Sequence, residues 1–234
     1  MTNSKVHITG DLHGEIERLT GYQKTRPGDI VVIAGDFGVI WRDSTEQNLD
    51  LLEKDAEEKN IIYLFIDGNH ENFSRLNQYP ETTIFGAKAG AIRPRIYHLK
   101  RGNIYTILGH TYFCFGGAVS IDKGYRKPFI SWWPEEECNS AERRNALKNL
   151  EKIDFKPEFI ITHTAPKIIL ALIKELQPIY DIQDKTQDFL ADLYLKIMQE
   201  NPNLKMWFFG HFHLDKSSLK NKFTCLYKDF KTIN

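Results

Sequence analysis

Five short segments of the sequence place Asp, Asn or His directly after an apolar run, where such side chains could bind metal ions. The segments are Gly10-Asp11-Leu12-His13-Gly14, Gly35-Asp36-Phe37-Gly38, Gly68-Asn69-His70-Glu71, Thr162-His163 and Gly210-His211-Phe212-His213. Any one of them is more often a turn, a helix cap or a surface pair than a metal site. Ligand sites collect at the carboxyl ends of strands in open α/β sheets, so five segments of matching chemistry favour one shared site.

The residue types in these segments favour transition-metal ions. Carboxylate, amide and imidazole donors without a thiolate suit Mn²⁺, Fe or Zn²⁺ better than the all-oxygen sites of Ca²⁺ or Mg²⁺. Asp11 and His13 can converge on one ion, either as alternate residues of a strand or from a short loop. Seven candidate ligands would over-supply one ion and serve two ions well: Asp11, His13, Asp36, Asn69, His163, His211 and His213.

Two such ions predict hydrolysis of a phosphate ester. Two divalent ions and two aspartates leave net positive charge, which attracts a phosphate group. Ions roughly 3.5–4 Å apart lower the pKa of a bridging water, and the resulting hydroxide can attack the phosphoryl group whose charge they neutralise. The leaving oxygen then needs a proton, which a His of near-neutral pKa can supply. His70 is the spare imidazole beside Asn69, so it is the candidate catalytic residue.

The ordered set of motifs resembles the calcineurin-like metallophosphoesterase family over nearly the whole chain, and its small bacterial-type members in particular. The resemblance implies an α/β fold of four layers, with two mixed β-sheets packed face to face and helices outside. It also implies a ligand set for each of two ions. The first ion would be bound by Asp11, His13 and His213, the second by Asn69, His163 and His211, and Asp36 would bridge both. His70 would be the acid or the transition-state contact, held by Asp11 or a neighbouring carboxylate.

The motifs leave the substrate-binding residues open. Family members that act as protein phosphatases commonly follow the bridging Asp with an Asp-Arg-Gly run, whereas this chain continues with Phe37-Gly38-Val39. The arginine that grips the phosphate is therefore not evident at its usual place. Arg42, Arg75 and Arg126 are the alternatives.

An irregular segment over residues 116–140 is rich in Gly, Pro, aromatic and charged residues. Such segments between core elements often carry binding residues, so we expect this one to be an insert that shapes the substrate cleft. Trp132 or its neighbour Trp133 would line the cleft, with a local packing anchor as the alternative. The whole chain, 1–234, is expected to be one domain.

The remaining histidines are not expected to take part in the chemistry. His7 lies within the first apolar run and is expected to pack in the sheet. His98 and His110 lie in or beside hairpin turns and are expected to be solvated.

Short apolar runs alternating with helical segments predict the elements that position these residues. Buried strands are expected at 5–9, 29–34, 61–66, 159–163 and 206–210, and helices at 44–60, 141–152, 166–176 and 184–200. Alternating runs over 84–117, at 96–99, 103–108 and 111–115, predict antiparallel hairpins. A C-terminal pair of strands is expected near 216–219 and 223–227.

The composition excludes several classes of protein. A hydrophobic fraction of 41% and a charged fraction of 26% are ordinary globular values. Lys and Arg (31) balance Asp and Glu (31), which argues against nucleic acid as a partner bound through bulk positive charge.

The apolar runs are far shorter than the roughly 18 residues that span a bilayer. With three cysteines in no CxxC motif and no apolar leader, the sequence predicts a cytoplasmic protein.

The sequence thus predicts a metal-dependent phosphoric ester hydrolase. Its substrate would be a phosphorylated protein, a nucleotide or a small mono- or diester. A non-catalytic metal-binding scaffold of the same fold is the alternative from another class, and loss of His70 or of a bridging ligand would favour it. A nuclease is the third possibility, which a basic groove or an added DNA-binding domain would favour.

Overall fold

The computed structural model describes residues 4–173, 175–176, 183–218 and 222–233. In this part of the chain the strands form two mixed sheets, one of seven strands and one of six. The strands are β1 (Val6–Thr9), β2 (Ile30–Ile33), β3 (Ile62–Phe65), β4 (Glu81–Ile84), β5 (Ala87–Arg93), β6 (Ile96–Leu99), β7 (Asn103–Ile107), β8 (His110–Phe115), β9 (Phe159–Thr162), β10 (Met206–Phe209), β11 (Lys216–Ser218), β12 (Phe223–Cys225) and β13 (Phe230–Ile233). The α-helices are α1 (Glu17–Thr20), α2 (Glu46–Lys59), α3 (Phe73–Leu76), α4 (Ser140–Glu151), α5 (Lys167–Leu172) and α6 (Lys185–Glu200).

Each sheet has a parallel centre and antiparallel edges. The first sheet has the order β13-β1-β2-β3-β6-β5-β4, in which β1, β2, β3 and β6 run parallel. The second has the order β11-β12-β10-β9-β8-β7, in which β12, β10, β9 and β8 run parallel. The central strands are continuous apolar runs because both of their faces are buried.

Alternation along the strands divides the core into layers. Successive side chains of a strand point to opposite faces of its sheet. In β2, Ile30 and Val32 face the second sheet, whereas Val31 and Ile33 face the helical side with Leu49 of α2. The inner cluster joins both sheets and includes Val6, Ile8 and Leu64 of the first with Tyr112, Ile161 and Phe208 of the second. Helices α4 and α6 cover the outer face of the second sheet. The predicted pair of mixed sheets flanked by helices is confirmed.

The expected hairpin between residues 96–99 and 103–108 is wrong. Strand β6 pairs in parallel with β3 in the first sheet, whereas β7 pairs with β8 in the second sheet. The turn at Arg101-Gly102 therefore carries the chain from one sheet to the other. The second hairpin, β7 with β8, is antiparallel as expected.

The C-terminal region holds one strand more than the sequence predicts. Strands β11 and β12 form the expected antiparallel pair, with residue 219 outside the described residues. Strand β13 was not predicted, and it pairs antiparallel with β1 at the edge of the first sheet. The predicted helix over 166–176 ends earlier, at Leu172, and residue 174 within it is outside the described residues.

The three histidines outside the motifs differ in burial. His7 is 2% exposed, and its Nε2 lies 2.9 Å from Asp29 Oδ2 within the sheet, as expected. His98 is 3% exposed and bonds Asp67 at 3.0 Å. The expectation of a solvated His98 is therefore wrong, because β6 lies inside the sheet. The side chain of His110 is partly exposed and pairs with Glu158.

Across the described residues, none of the helices combines the length and apolar character that crossing a bilayer requires.

Candidate metal centre

The five predicted ligand segments follow β1, β2, β3, β9 and β10. These strands run parallel within their sheets, so the loops after them emerge at the same ends of the sheets. Asp11 and His13 both lie in the loop after β1, which ends at Thr9. They therefore converge through a loop and not as alternate residues of a strand.

One group of donor atoms is formed by Asp11, His13 and His213, all within 4.8 Å of one another. The Nε2 atoms of His13 and His213 are 2.8 Å apart. His213 Nε2 also lies 3.3 Å from Asp11 Oδ2. Asp11 is fully buried, whereas His13 and His213 are partly exposed. This group joins residues from the two ends of the chain at the surface of the site.

A second, deeper group is formed by Asp11, Asp36 and His163, and all three are buried. His163 Nε2 lies 3.3 Å from Asp36 Oδ1 and 3.0 Å from Asn69 Oδ1. Its Nδ1 lies 2.9 Å from the carbonyl oxygen of Ala34, so Nδ1 carries a hydrogen and Nε2 faces the ligand oxygens. The ring of His211 packs edge-on against His163, with 5.1 Å between ring centroids. The structure therefore brings all seven predicted ligands to one site.

The donor set fits divalent cations. Asp11 Oδ2 is buried and has no hydrogen-bond partner among the described residues, which is rare for a carboxylate oxygen in a folded protein. The Nε2 atoms of His13 and His213 lie close together, so both imidazole rings face the same place in the site. Oxygen and imidazole donors without sulfur are the preferred surroundings of Mn²⁺, Fe²⁺ and Zn²⁺.

Burial shifts the pKa values of these groups because desolvation disfavours the charged form of each side chain. Burial raises the pKa of Asp11 to about 7. Burial also lowers the pKa of His13 to about 4 and that of His211 to about 3. Burial alone would also lower the pKa of His163, but the nearby Asp36 and Asp11 raise it above the ordinary value.

The backbone is held in an unusual conformation at four of the ligands. His13, Asp36, His211 and His213 have φ angles of 50°, 46°, 69° and 49°, in the left-handed region that few non-glycine residues adopt. Such strain persists only where the surroundings enforce it, and it clusters at functional sites. A Cβ at Gly68 would collide with the Asp36 carboxylate, so only glycine allows this close approach.

Two buried acids that the sequence analysis did not select hold these loops in place. Glu71 accepts hydrogen bonds from the backbone amides of Phe37 at 2.7 Å and Gly38 at 3.2 Å. It thereby fixes the loop that carries Asp36. Burial, with the nearby Asp36, raises the pKa of Glu71 well above its ordinary value. The only signal in the sequence was its place as the last residue of the segment Gly68-Asn69-His70-Glu71.

The second buried acid, Asp67, connects the loop after β3 to the predicted insert. Its carboxylate bonds Arg101 Nε at 2.7 Å and His98 at 3.0 Å. Arg101 in turn donates to the carbonyl oxygen of Glu135 at 2.7 Å. Burial alone would raise the pKa of Asp67, but Arg101 and His98 hold it well below its ordinary value. This pair therefore ties the segment before Asn69 to residues 116–140.

His70 lies beside the candidate ligands. Its backbone amide donates to Asp36 Oδ1 at 2.7 Å, and its ring centroid is 5.1 Å from that of His13. The partner of its side chain is Arg126, with Nη2 3.3 Å from His70 Nε2, and not the carboxylate that the resemblance implied. Because Arg126 donates, a neutral His70 ring carries its hydrogen on Nδ1. Burial and Arg126 hold the pKa of His70 below its ordinary value, although Asp36 acts in the opposite direction.

The predicted substrate-binding residues lie in different places. Arg126 lines a cavity of about 520 Å³ together with His70, and it also bonds Asp122. Arg42 lines a neighbouring cavity of about 330 Å³. Arg75 pairs with Asp43. Trp132 is half-buried and is not among the described residues that line either cavity.

Trp133 serves as a packing anchor. It is 1% exposed, and its Nε1 donates to Ser74 Oγ at 2.8 Å. Its ring packs edge-on against Trp41, with 5.5 Å between ring centroids. This contact fixes the insert against the first sheet.

Comparison with models of known protein families identifies a match that covers most of the chain. A sequence model of a protein family, described as calcineurin-like phosphoesterase, matches residues 4–215. The matched range includes all five ligand segments. Among proteins with curated descriptions, none matches the chain.

Proposed function

The chain belongs to the calcineurin-like phosphoesterase family, and on this basis we propose that it hydrolyses a phosphate mono- or diester at a site with two divalent metal ions. The main support is that seven donor residues lie at one site. One of their donor atoms, Asp11 Oδ2, is a buried carboxylate oxygen without a hydrogen-bond partner among the described residues. A protein that used this fold only for packing would gain nothing from such a group, since its burial without a partner is costly.

Two ligand sets are proposed. Asp11, His13 and His213 would hold the first ion, Asn69, His163 and His211 the second, and Asp36 would bridge them. The donor types favour Mn²⁺, Fe or Zn²⁺. When bound, the two ions would lower the pKa of a water and neutralise charge on the phosphoryl group.

His70 is proposed to act on the leaving oxygen. Its ring lies beside the ligand His13 but makes its own polar contact to Arg126. In the resting site a lowered pKa keeps the ring neutral. An anionic phosphate nearby favours the protonated ring, so substrate binding would charge the ring. The ring would then give a proton, or a strong hydrogen bond, to the oxygen that leaves phosphorus.

Arg126 is proposed to grip the phosphate. Its guanidinium contacts His70, and it lines the same cavity as Asp36 and His213. Its present partner Asp122 is half-buried, at the rim of the cavity, so the guanidinium can exchange that carboxylate for a phosphate oxygen.

A panel assay tests the proposed hydrolysis. Protein stripped of metal with a chelator is reconstituted separately with Mn²⁺, Fe²⁺, Zn²⁺ and Mg²⁺, and each form is assayed on chromogenic mono- and diesters. We expect hydrolysis that depends on added transition metal and is lost on chelation. Absence of hydrolysis with every metal and ester would instead favour the metal-binding scaffold.

A further inference from the structure

Two separate cavities border the candidate centre, and His70 lines both of them. The larger, of about 520 Å³, also contacts His213. The smaller, of about 330 Å³, also contacts His13. Since the Nε2 atoms of these two histidines are 2.8 Å apart, the ligands form a wall between the cavities. Both volumes lie within the range of about 300–1,000 Å³ typical of small-molecule sites.

The two cavities differ in chemistry. The larger one combines four apolar side chains, those of Val119, Ile121, Leu176 and Phe212, with polar and charged residues, and the charge of Arg126 is balanced there by Asp122. These four side chains supply the apolar part of its lining. A flat or aliphatic group fits such a lining.

The smaller cavity carries a positive charge in a lining of polar and aromatic residues. Its lining includes Arg42, Thr45 and Asn48, and Trp41 offers a ring at one side. Within the described lining there is no Asp or Glu, and the guanidinium of Arg42 has no ion-pair partner among the described residues. A polar or anionic group therefore fits here.

We propose that the substrate is a phosphodiester whose two ester groups occupy the two cavities, with phosphorus beside His70. This inference rests on the proposed hydrolysis at the same site. A monoester carries one group and would leave one cavity without a substituent. In the reaction one water is consumed: its oxygen bonds to phosphorus, and the bond from phosphorus to the oxygen of the apolar group breaks. That oxygen takes the proton, and the polar group leaves as a phosphate monoester.

Two chromogenic substrates with the same leaving group can show how much the second ester group contributes to kcat/KM. 4-Nitrophenyl phosphate has one substituent, whereas thymidine 5′-(4-nitrophenyl phosphate) adds a polar nucleoside on the other side of phosphorus. We expect kcat/KM to be higher for the diester by about 10–200-fold, the size of effect that a single methylene group supplies when it fits a pocket. A higher kcat/KM for the monoester would overturn the inference and leave the proposed hydrolysis intact.

Variants of helix α2 test where the second group binds. Asn48 lines the smaller cavity and its neighbour Gln47 is exposed, so Asn48→Phe fills the cavity and Gln47→Phe is the matched control. Asn48→Phe should lower the diester-to-monoester ratio of kcat/KM by about 10–200-fold, and Gln47→Phe should leave the ratio as in the wild type. Arg42→Ala, an exposed change that does not disturb packing, should raise KM for the diester.

The outcomes separate the two hypotheses. A ratio that stays at the wild-type value in both Asn48→Phe and Arg42→Ala would overturn the two-cavity assignment, even if the diester were the better substrate. If neither ester is hydrolysed with any metal, the proposed function fails and this inference fails with it.

Discussion

His70 differs from the candidate ligands in the way that it is attached to the site. Its backbone amide, and not its ring, contacts Asp36, while the ring contacts Arg126. Removing the ring should therefore leave the donors of the two proposed ion sites in place. By contrast, Asp36 is proposed to contact both ions, so a change there should alter metal binding itself.

Replacing His70 by Ala should leave the metal content unchanged and lower kcat by about 10²–10⁴-fold, the usual contribution of general acid–base catalysis. The loss should be smaller for esters of nitrophenol, whose leaving oxygen hardly needs a proton. Steady-state kinetics on an alkyl and a nitrophenyl ester, with elemental analysis, measure both effects. Loss of metal in His70→Ala would assign His70 to the ligands.

Replacing Asp36 by Asn removes one negative charge from the proposed bridge. Asn tolerates the left-handed backbone that Asp36 adopts, so the fold should be retained while metal affinity and activity fall together. Elemental analysis after dialysis against a low concentration of Mn²⁺ checks this. Two tightly held ions per chain in Asp36→Asn would contradict the bridging role.

At the scale of elements, the buried pair Asp67–Arg101 connects the loop after β3 to the insert. The side chain of Arg101 is 4% exposed. Replacing it by Met removes the charge and keeps most of the volume, so Asp67 remains buried without its strongest partner. We expect the free energy of unfolding to fall by about 3–5 kcal/mol, measured by urea denaturation in the presence of a chelator. The control Arg144→Met changes an exposed arginine of α4 and should alter stability by about 0.5 kcal/mol or less.

The end of the second sheet remote from the ligands carries a polar cluster centred on Glu158. Glu158, just before β9, bonds Lys205 at 2.7 Å, the Thr111 amide at 3.1 Å and His110 at 3.0 Å. Partial burial would raise its pKa, but these three partners lower the pKa to about 2. In the unfolded chain a glutamate titrates at about 4.3. Its contribution to stability is therefore complete above about pH 4.3 and is lost as the pH falls toward 2.

The variant Glu158→Gln should accordingly have a lower Tm than the wild type at neutral pH, and the difference should shrink in acid. Because about a third of the side chain is exposed, the effect should be about 1 kcal/mol or less. Thermal unfolding in a chelator from pH 7 to pH 2 measures it, with the exposed glutamate variant Glu151→Gln as the control. A Tm difference between Glu158→Gln and the wild type that grows in acid would contradict the expected direction of this pH dependence.

The central strands could be predicted from the sequence because they are buried on both faces and read as continuous apolar runs, as in β2 and β3. The partner of a strand could not be predicted. Strands β6 and β7 both alternate, and a turn with Gly102 suits a hairpin and a crossing between sheets equally well. Strand β13 was not predicted because, in the sequence, a short edge strand with exposed polar residues resembles a loop.

The ligand positions could be predicted because residue type and spacing carry the chemistry directly. The residues that hold the ligands could not. Glu71 acts through two backbone amides, and Asp67 through an arginine on another element, and neither contact leaves a pattern in the sequence. For the same reason, only the structure singled out Arg126 as the arginine that contacts His70.

For the whole molecule, metal binding and folding should be linked. The Asp11 oxygen that accepts no hydrogen bond from the described residues, together with the four left-handed residues, is expected to make the metal-free state less stable than its packing alone would allow. Ions that bind only the folded chain stabilise it by about 4 kcal/mol at a thousand times Kd. We expect Tm to fall on chelation and to recover with Mn²⁺, and elemental analysis to saturate at about two ions per chain, as a two-ion site requires. Saturation at one ion would contradict the proposed pair of ligand sets.

The contact between His13 and His213 spans 200 residues of chain, and this has a consequence during protein synthesis. At the usual rate of about 5–20 residues per second, roughly 10–40 s separate the appearance of the first of these residues from that of the second. Asp11 and His13 emerge from the ribosome long before the histidines that complete their ligand set. Metal is therefore expected to be acquired after the second sheet has been translated, and a nascent chain arrested before β10 should retain none.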